Sequence, residues 1–159
     1  MKKVYGIIVL MVLLSISGVA TAGDYVPVPP PSSFRGMAWG TSLADLPGML
    51  PVQESGFKNT YFRTDERMTF GDATIRSVAY YFREGRLYRV GVAFSGRANH
   101  FLIKERLISM YGRGRGVGLR YGWMWPNFSV EINYDDEADS GGLFYTYEGA
   151  WEQAEGSGS

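Results

Sequence analysis

The stretch TIRSVAYYFREGRLYRVGVAFSGRANHFLIKERLISMYG, residues 74–112, decides the fold. It reads as two long strands joined by a tight turn, followed at once by an amphipathic helix. A two-residue loop at Glu84-Gly85 needs positive φ at Glu84, which is unfavourable for that residue. A three-residue loop, Arg83-Glu84-Gly85, needs it only at Gly85, as a type I turn with a bulged glycine. The three-residue loop is therefore expected. It pairs Phe82 with Arg86 and Tyr80 with Tyr88. One face then carries Val78, Tyr80, Phe82, Tyr88, Val90, Val92 and Phe94. The other carries Ser77, Ala79, Tyr81, Leu87, Arg89 and Gly91, a mixed set that fits a partly solvated surface.

The spacing of Ile103, Leu107, Met110 and Tyr111 predicts a helix over about residues 98–111, with one stripe turned to the hairpin. Asn99, or Ser95 before it, is the expected N-cap, and Gly112 the expected end. Upstream, Ser42 with Asp45 resembles a capping box, and Leu43, Leu46 and Leu50 predict a short helix over about 42–50. Val52–Phe62 reads as a weak strand, Arg63–Arg67 as a polar loop and Met68–Phe70 as a short strand. Downstream, Leu119–Trp125, Phe128–Tyr134 and Leu143–Tyr147 alternate as strands, and Arg113–Gly118 reads as a loop. The expected fold is α+β: a mainly antiparallel sheet of about five to six strands with one main helix. A helix ending at glycine precedes about three strands twice over, a loose internal echo.

Residues 1–22 read as a secretory signal peptide. Lys2 and Lys3 form its basic end, Ile7–Val19 its apolar core, and Ala20-Thr21-Ala22 a small-x-small cleavage site. A membrane anchor is the weaker reading, because the apolar run is short for a span. The chain has no cysteine, so a lipid anchor on cysteine is excluded and no disulfide helps the exported domain. Residues 23–33 form a proline-rich leader, expected as an extended spacer. Residues 34–151 form a single domain, and 152–159 a tail without periodicity, expected to be disordered. Localisation is periplasmic or secreted. Removing Lys2 and Lys3 leaves 14 basic against 16 acidic residues, which gives no pull toward nucleic acid.

No pattern of catalytic residues stands out. His100 is the one histidine, so imidazoles alone cannot build a metal site, and it reads as a surface residue of the first helical turn. YGRGRGVG at 111–118 has a phosphate-loop composition but follows a helix C-terminus, where the dipole has the wrong sign. Arg113 and Arg115 are candidates for an acidic partner. Asp135, Glu137 and Asp139, in the run DDEADSGG, are candidate calcium ligands, although the EF-hand spacing fails. No cofactor is implied. The aromatic set Trp39, Tyr61, Tyr81, Tyr121, Trp123 and Trp125 is the most suggestive feature. Of these, Tyr81, Tyr121, Trp123 and Trp125 are the candidate binding residues, for another envelope protein or a glycan. A non-catalytic binding or envelope-accessory module is the favoured function. The alternatives are a glycan hydrolase, with Glu131 and Glu148 as its carboxylates, and a calcium-stabilised structural domain.

The strings WGTSLADLPGM, YYFREGRLYRVGVAF and LISMYG resemble small exported bacterial proteins of unknown function with a WGTS–YYF–GxLY–YG layout. The matching residues are turn, cap and core residues, so the resemblance implies a fold and no active site. More distantly, helix followed by antiparallel strands is similar to the β-lactamase inhibitory protein and the small outer-membrane assembly lipoproteins. Both of those act by binding proteins, so the likeness implies a binding role at fold level. This chain lacks the inhibitor's disulfides and the lipoproteins' anchoring cysteine.

Overall fold

In the computed structural model, residues 28–54 and 56–149 are described. The expected signal peptide, the start of the leader and the expected disordered tail fall outside the described residues. The strands are β1 (Ser33–Phe34), β2 (Met37–Ala38), β3 (Met49–Pro51), β4 (Thr60–Arg63), β5 (Thr69–Phe70), β6 (Ala73–Thr74), β7 (Ser77–Arg83) and β8 (Arg86–Phe94). Helix α1 (Arg97–Tyr111) follows, then β9 (Arg115–Val117), β10 (Arg120–Trp125), β11 (Phe128–Asp135) and β12 (Ser140–Tyr147). Eight strands form one antiparallel sheet in the order β3-β4-β7-β8-β12-β11-β10-β9. The α+β class holds, but the sheet is larger than the expected five to six strands. The helix connects two four-strand meanders, which meet through their last strands, β8 and β12. That arrangement gives the internal echo a topological form.

The β7–β8 turn differs from expectation in an instructive way. Glu84 and Gly85 both have positive φ, 50° and 72°, so the loop has two residues and Arg83 pairs with Arg86. A bulge then places Tyr88 outside the pairing: Phe82 faces Leu87, and Tyr81 faces Arg89. The bulge restores the register beyond it, so Val90, Val92 and Phe94 keep the core face, while Leu87 replaces Tyr88 there. The strained Glu84 is held by the segment before it. Gly40 N–H donates to Leu87 O at 2.8 Å, Leu87 N–H to Thr41 O at 3.0 Å, and Leu43 N–H to Gly85 O at 2.8 Å.

The expected helix over 42–50 is a single 3₁₀ turn, Leu43–Asp45, capped by Ser42. Pro47 and Gly48 stop it, and Met49–Pro51 joins the sheet as β3 against β4. The strand expected over Val52–Phe62 shrinks to β4. The Arg113–Gly118 loop contains the edge strand β9.

Helix α1 buries His100, Ile103, Leu107 and Tyr111, a stripe of i, i+3, i+7, i+11. Met110 lies outside it and is exposed. Neither expected N-cap caps the helix: Gly96 occupies that position without a side-chain bond. Its N–H donates to Asp139 Oδ1 at 3.2 Å, while Asn99 ties the helix to Thr74 N and Ser95 O. Gly112 ends the helix with φ 76°. The rest of the core face is covered by the β1–β2 ribbon, whose Phe34 packs on Tyr145 at 5.3 Å and Tyr80 at 6.2 Å between ring centres. Among the described residues no helix is long and apolar enough to cross a membrane.

Candidate functional site

Alternation along each strand divides the sheet into two faces. On the closed face, beneath α1 and the ribbon, the aromatic residues contact one another. Trp123 is 7 % exposed, lies edge-on to Tyr111 and Tyr121 at 5.9 and 5.2 Å, and donates Nε1–H to Gly112 O at 2.8 Å. Trp39 and Trp125 are partly buried against Phe128. Their indoles reach the leader: Trp39 Nε1–H donates to Pro31 O and Trp125 Nε1–H to Val28 O, both at 2.8 Å. The leader thus touches the sheet through the carbonyls of Val28 and Pro31, while Val28, Pro29, Pro30 and Ser32 stay exposed.

The closed face also holds a charged group that the sequence reading placed in a polar loop. Glu66 accepts from Arg35 and from the Tyr80 hydroxyl. The side chains of Arg35 and Glu66 are 14 % and 4 % exposed. Burial, then the bond to Glu66, raises the Tyr80 pKa. Arg35 further donates to Arg67 O at 2.8 Å and Thr69 O at 2.6 Å, tying the ribbon to the loop before β5.

His100 is buried, in contrast to its expected surface position. Its ring stacks on Tyr134 at 5.4 Å and Phe94 at 6.2 Å. Among the described residues Nε2 has no hydrogen-bond partner. Burial, then the charges of Lys104 and Arg97, lowers its pKa, against a weaker upward pull from Asp136. A histidine so enclosed is a packing residue.

The open face is different. Gly91 and Ala79 lie on the floor of a trough of about 460 Å³, with Phe57, Phe62, Tyr81 and Phe144 among its walls. Phe57 and Phe62 are 46 % and 42 % exposed, and Leu50, paired with Phe62, is 55 % exposed. A Cβ on Gly91 would meet Phe144 Cε1 at 3.2 Å and Tyr81 Cε2 at 3.3 Å, so glycine there lets the two rings close over the strand. Arg89 braces them from beside: its guanidinium carbon lies 4.6 Å from the Phe144 ring centre and 5.8 Å from that of Tyr81.

Five of the six candidate binding residues come together and Tyr81 stands apart. Tyr81 belongs to the open face. Trp123 is core, and Tyr121 and Trp125 pack against the core. Arg113 and Arg115 lie at the far edge of the sheet, where they line a hollow of about 1070 Å³ together with Tyr121, Trp123 and Trp125. Phe57, Phe62, Phe144 and Arg89 were missed. The available signal was the small residues Ala79 and Gly91 alternating with the apolar face of the hairpin.

The candidate calcium ligands Asp135, Glu137 and Asp139 do not converge. Asp135 Oδ1 accepts from Glu137 N at 2.9 Å and Ala138 N at 3.1 Å, which closes its own turn. Asp139 accepts from Tyr134 O–H and Gly96 N–H, and Asp136 pairs with Arg97. Among the described residues, no three His, Asp or Glu side chains converge on a metal position. Glu131 and Glu148 are also poorly placed for glycoside hydrolysis. Glu131 is opposite Phe144, four residues from Glu148. That is roughly 13 Å between Cα atoms at about 3.3 Å per strand residue, and neither the trough nor the hollow at the β9 edge is lined by both. No protein-family model, curated protein or solved structure matches this chain.

Proposed function

We propose that this protein is a non-catalytic exported binding or envelope-accessory module, and that its binding surface is the open face of the sheet. The observation that carries the reading is the uncovered apolar trough, with Phe57, Phe62 and Leu50 exposed around it. Exposed apolar patches of this kind are uncommon on monomers without a partner, and aromatic anchors dominate binding surfaces. The exposed Leu50, Phe57 and Phe62 favour an apolar segment of another envelope protein over a glycan chain. The N-terminal residues 1–22 supply the route to the periplasm.

A photoreactive residue placed at Ala79, on the trough floor, tests this in a bacterial host that exports the protein. The expected result is one discrete adduct from position 79 and none from position 106 on the exposed side of α1. Adducts of equal yield from both positions, or none from position 79, contradict the proposal.

A further inference from the structure

Charge in this chain is balanced overall and segregated locally. Residues 97–120 contain six basic side chains, Arg97, Lys104, Arg106, Arg113, Arg115 and Arg120, against the single carboxylate Glu105. Residues 131–139 contain five carboxylates and no basic residue. Arg97 pairs with Asp136. The other five cations form no ion pair among the described residues.

Four of these five gather at the β9 end of the sheet. β9 is an edge strand, paired on one side only. Its Arg-Gly-Arg-Gly-Val alternation has a steric cause. A Cβ on Gly114 would approach Gly122 O to 2.5 Å, and one on Gly116 would approach Arg120 O to 2.2 Å. The glycines must face inward, over Tyr121, so Arg113, Arg115 and Val117 share the other side. Val117 is 89 % exposed, and Met124 on the adjacent strand is 84 % exposed. They are the two most exposed large apolar residues among the described ones. With Arg113, Arg115 and Arg120 they line a hollow of about 1070 Å³, with Glu131 its one carboxylate, and a second hollow between α1 and β9 adds Lys104 to Arg113 and Arg115. Lys104 Nζ stands 5.0 Å from the Tyr121 ring centre.

We infer that the β9 edge docks on an anionic phospholipid surface. Headgroup phosphates meet Arg113, Arg115 and Arg120, and Val117 and Met124 enter the interface between them. Unpaired cations interleaved with exposed apolar side chains are the combination that interfacial binding uses. A free anion would engage the cations and leave Val117 and Met124 without a role. The docking is peripheral, and its surface lies at the β9–β10 end of the open face, where Asn133 adjoins the trough.

Flotation of the exported protein with vesicles tests the inference. One set contains equal parts phosphatidylglycerol and phosphatidylcholine, the other phosphatidylcholine alone. The protein is expected to float with the anionic vesicles, to release as salt is raised, and to ignore the neutral ones. Each arginine near an anionic surface contributes roughly fivefold in affinity, so Arg113→Glu with Arg115→Glu lowers binding by more than about tenfold. Val117→Asp, at a nearly fully exposed position, lowers it with circular dichroism unchanged. Equal flotation with both vesicle types, no flotation, or full binding by the double variant overturns the inference. Binding of inositol hexakisphosphate without flotation also overturns it and assigns the hollow to a soluble polyanion.

Discussion

The two faces of the sheet use the same residue types to opposite ends. On the closed face, Trp123, Tyr111, Tyr145 and Phe128 fill space against one another, and each indole donates to a backbone carbonyl. On the open face, Tyr81 and Phe144 lean over Gly91 and are braced by Arg89, and the space before them is empty of protein. The difference teaches that aromatic content alone does not locate a binding surface. Strand parity does, together with whether a covering element exists. Here the cover of the closed face is α1 plus an N-terminal ribbon of two-residue strands.

Four substitutions sharpen or break this contrast. The largest effect is expected at the buried pair under the ribbon. Arg35→Met leaves the Glu66 carboxylate without its cation and lowers stability by about 3–5 kcal/mol, read from urea unfolding. A loss under about 1 kcal/mol would mean the ribbon is not a true lid. Gly116→Ala comes next. With backbone only 2.2 Å from the added Cβ, β9 must move, at about 1–3 kcal/mol, with faster hydrogen exchange at residues 115–117 and 120–122.

His100 gives a smaller, pH-dependent effect. Its folded pKa lies below its ordinary value because of burial and the nearby Lys104 and Arg97. Between those two values the folded state binds fewer protons than the unfolded chain, so stability rises with pH. The contribution is complete above pH about 6.5 and is lost as pH falls through the folded value. His100→Phe is expected to remove that part of the slope in thermal melts from pH 7.5 down. The smallest effect belongs to the open face. Gly91→Ala meets only ring edges at 3.2 and 3.3 Å and is expected to change stability by less than about 1 kcal/mol, while narrowing the trough and weakening partner cross-linking.

The pattern of residues 74–112 made the hairpin, the helix and the α+β class legible in the sequence. The turn was misread because Glu84 at positive φ is unfavourable locally, and the bonds from residues 40–43 that hold it are non-local. The bulge at Tyr88 then hid the error, since both registers send Val90, Val92 and Phe94 inward. The 42–50 segment carried leucines at helical spacing, yet Pro47 and strand pairing with β4 prevailed. The binding candidates grouped Trp123 and Trp125 with Tyr81 because all are aromatic residues in strands. Only the sheet order shows that they face opposite ways. Phe62 gave no signal because β4 is too short to show alternation, and Phe57 lies outside it in the turn region before the strand.

Hydroxyl-radical footprinting, read by mass spectrometry on the purified protein and on the protein within the envelope of the exporting host, tests the central claim most directly. The account predicts rapid oxidation of Phe57 and Phe62 and slow oxidation of Trp123 in the purified protein, with Phe57 and Phe62 becoming protected in the envelope. Rapid oxidation of Trp123 in the purified protein, or an open face equally reactive in both settings, would contradict it.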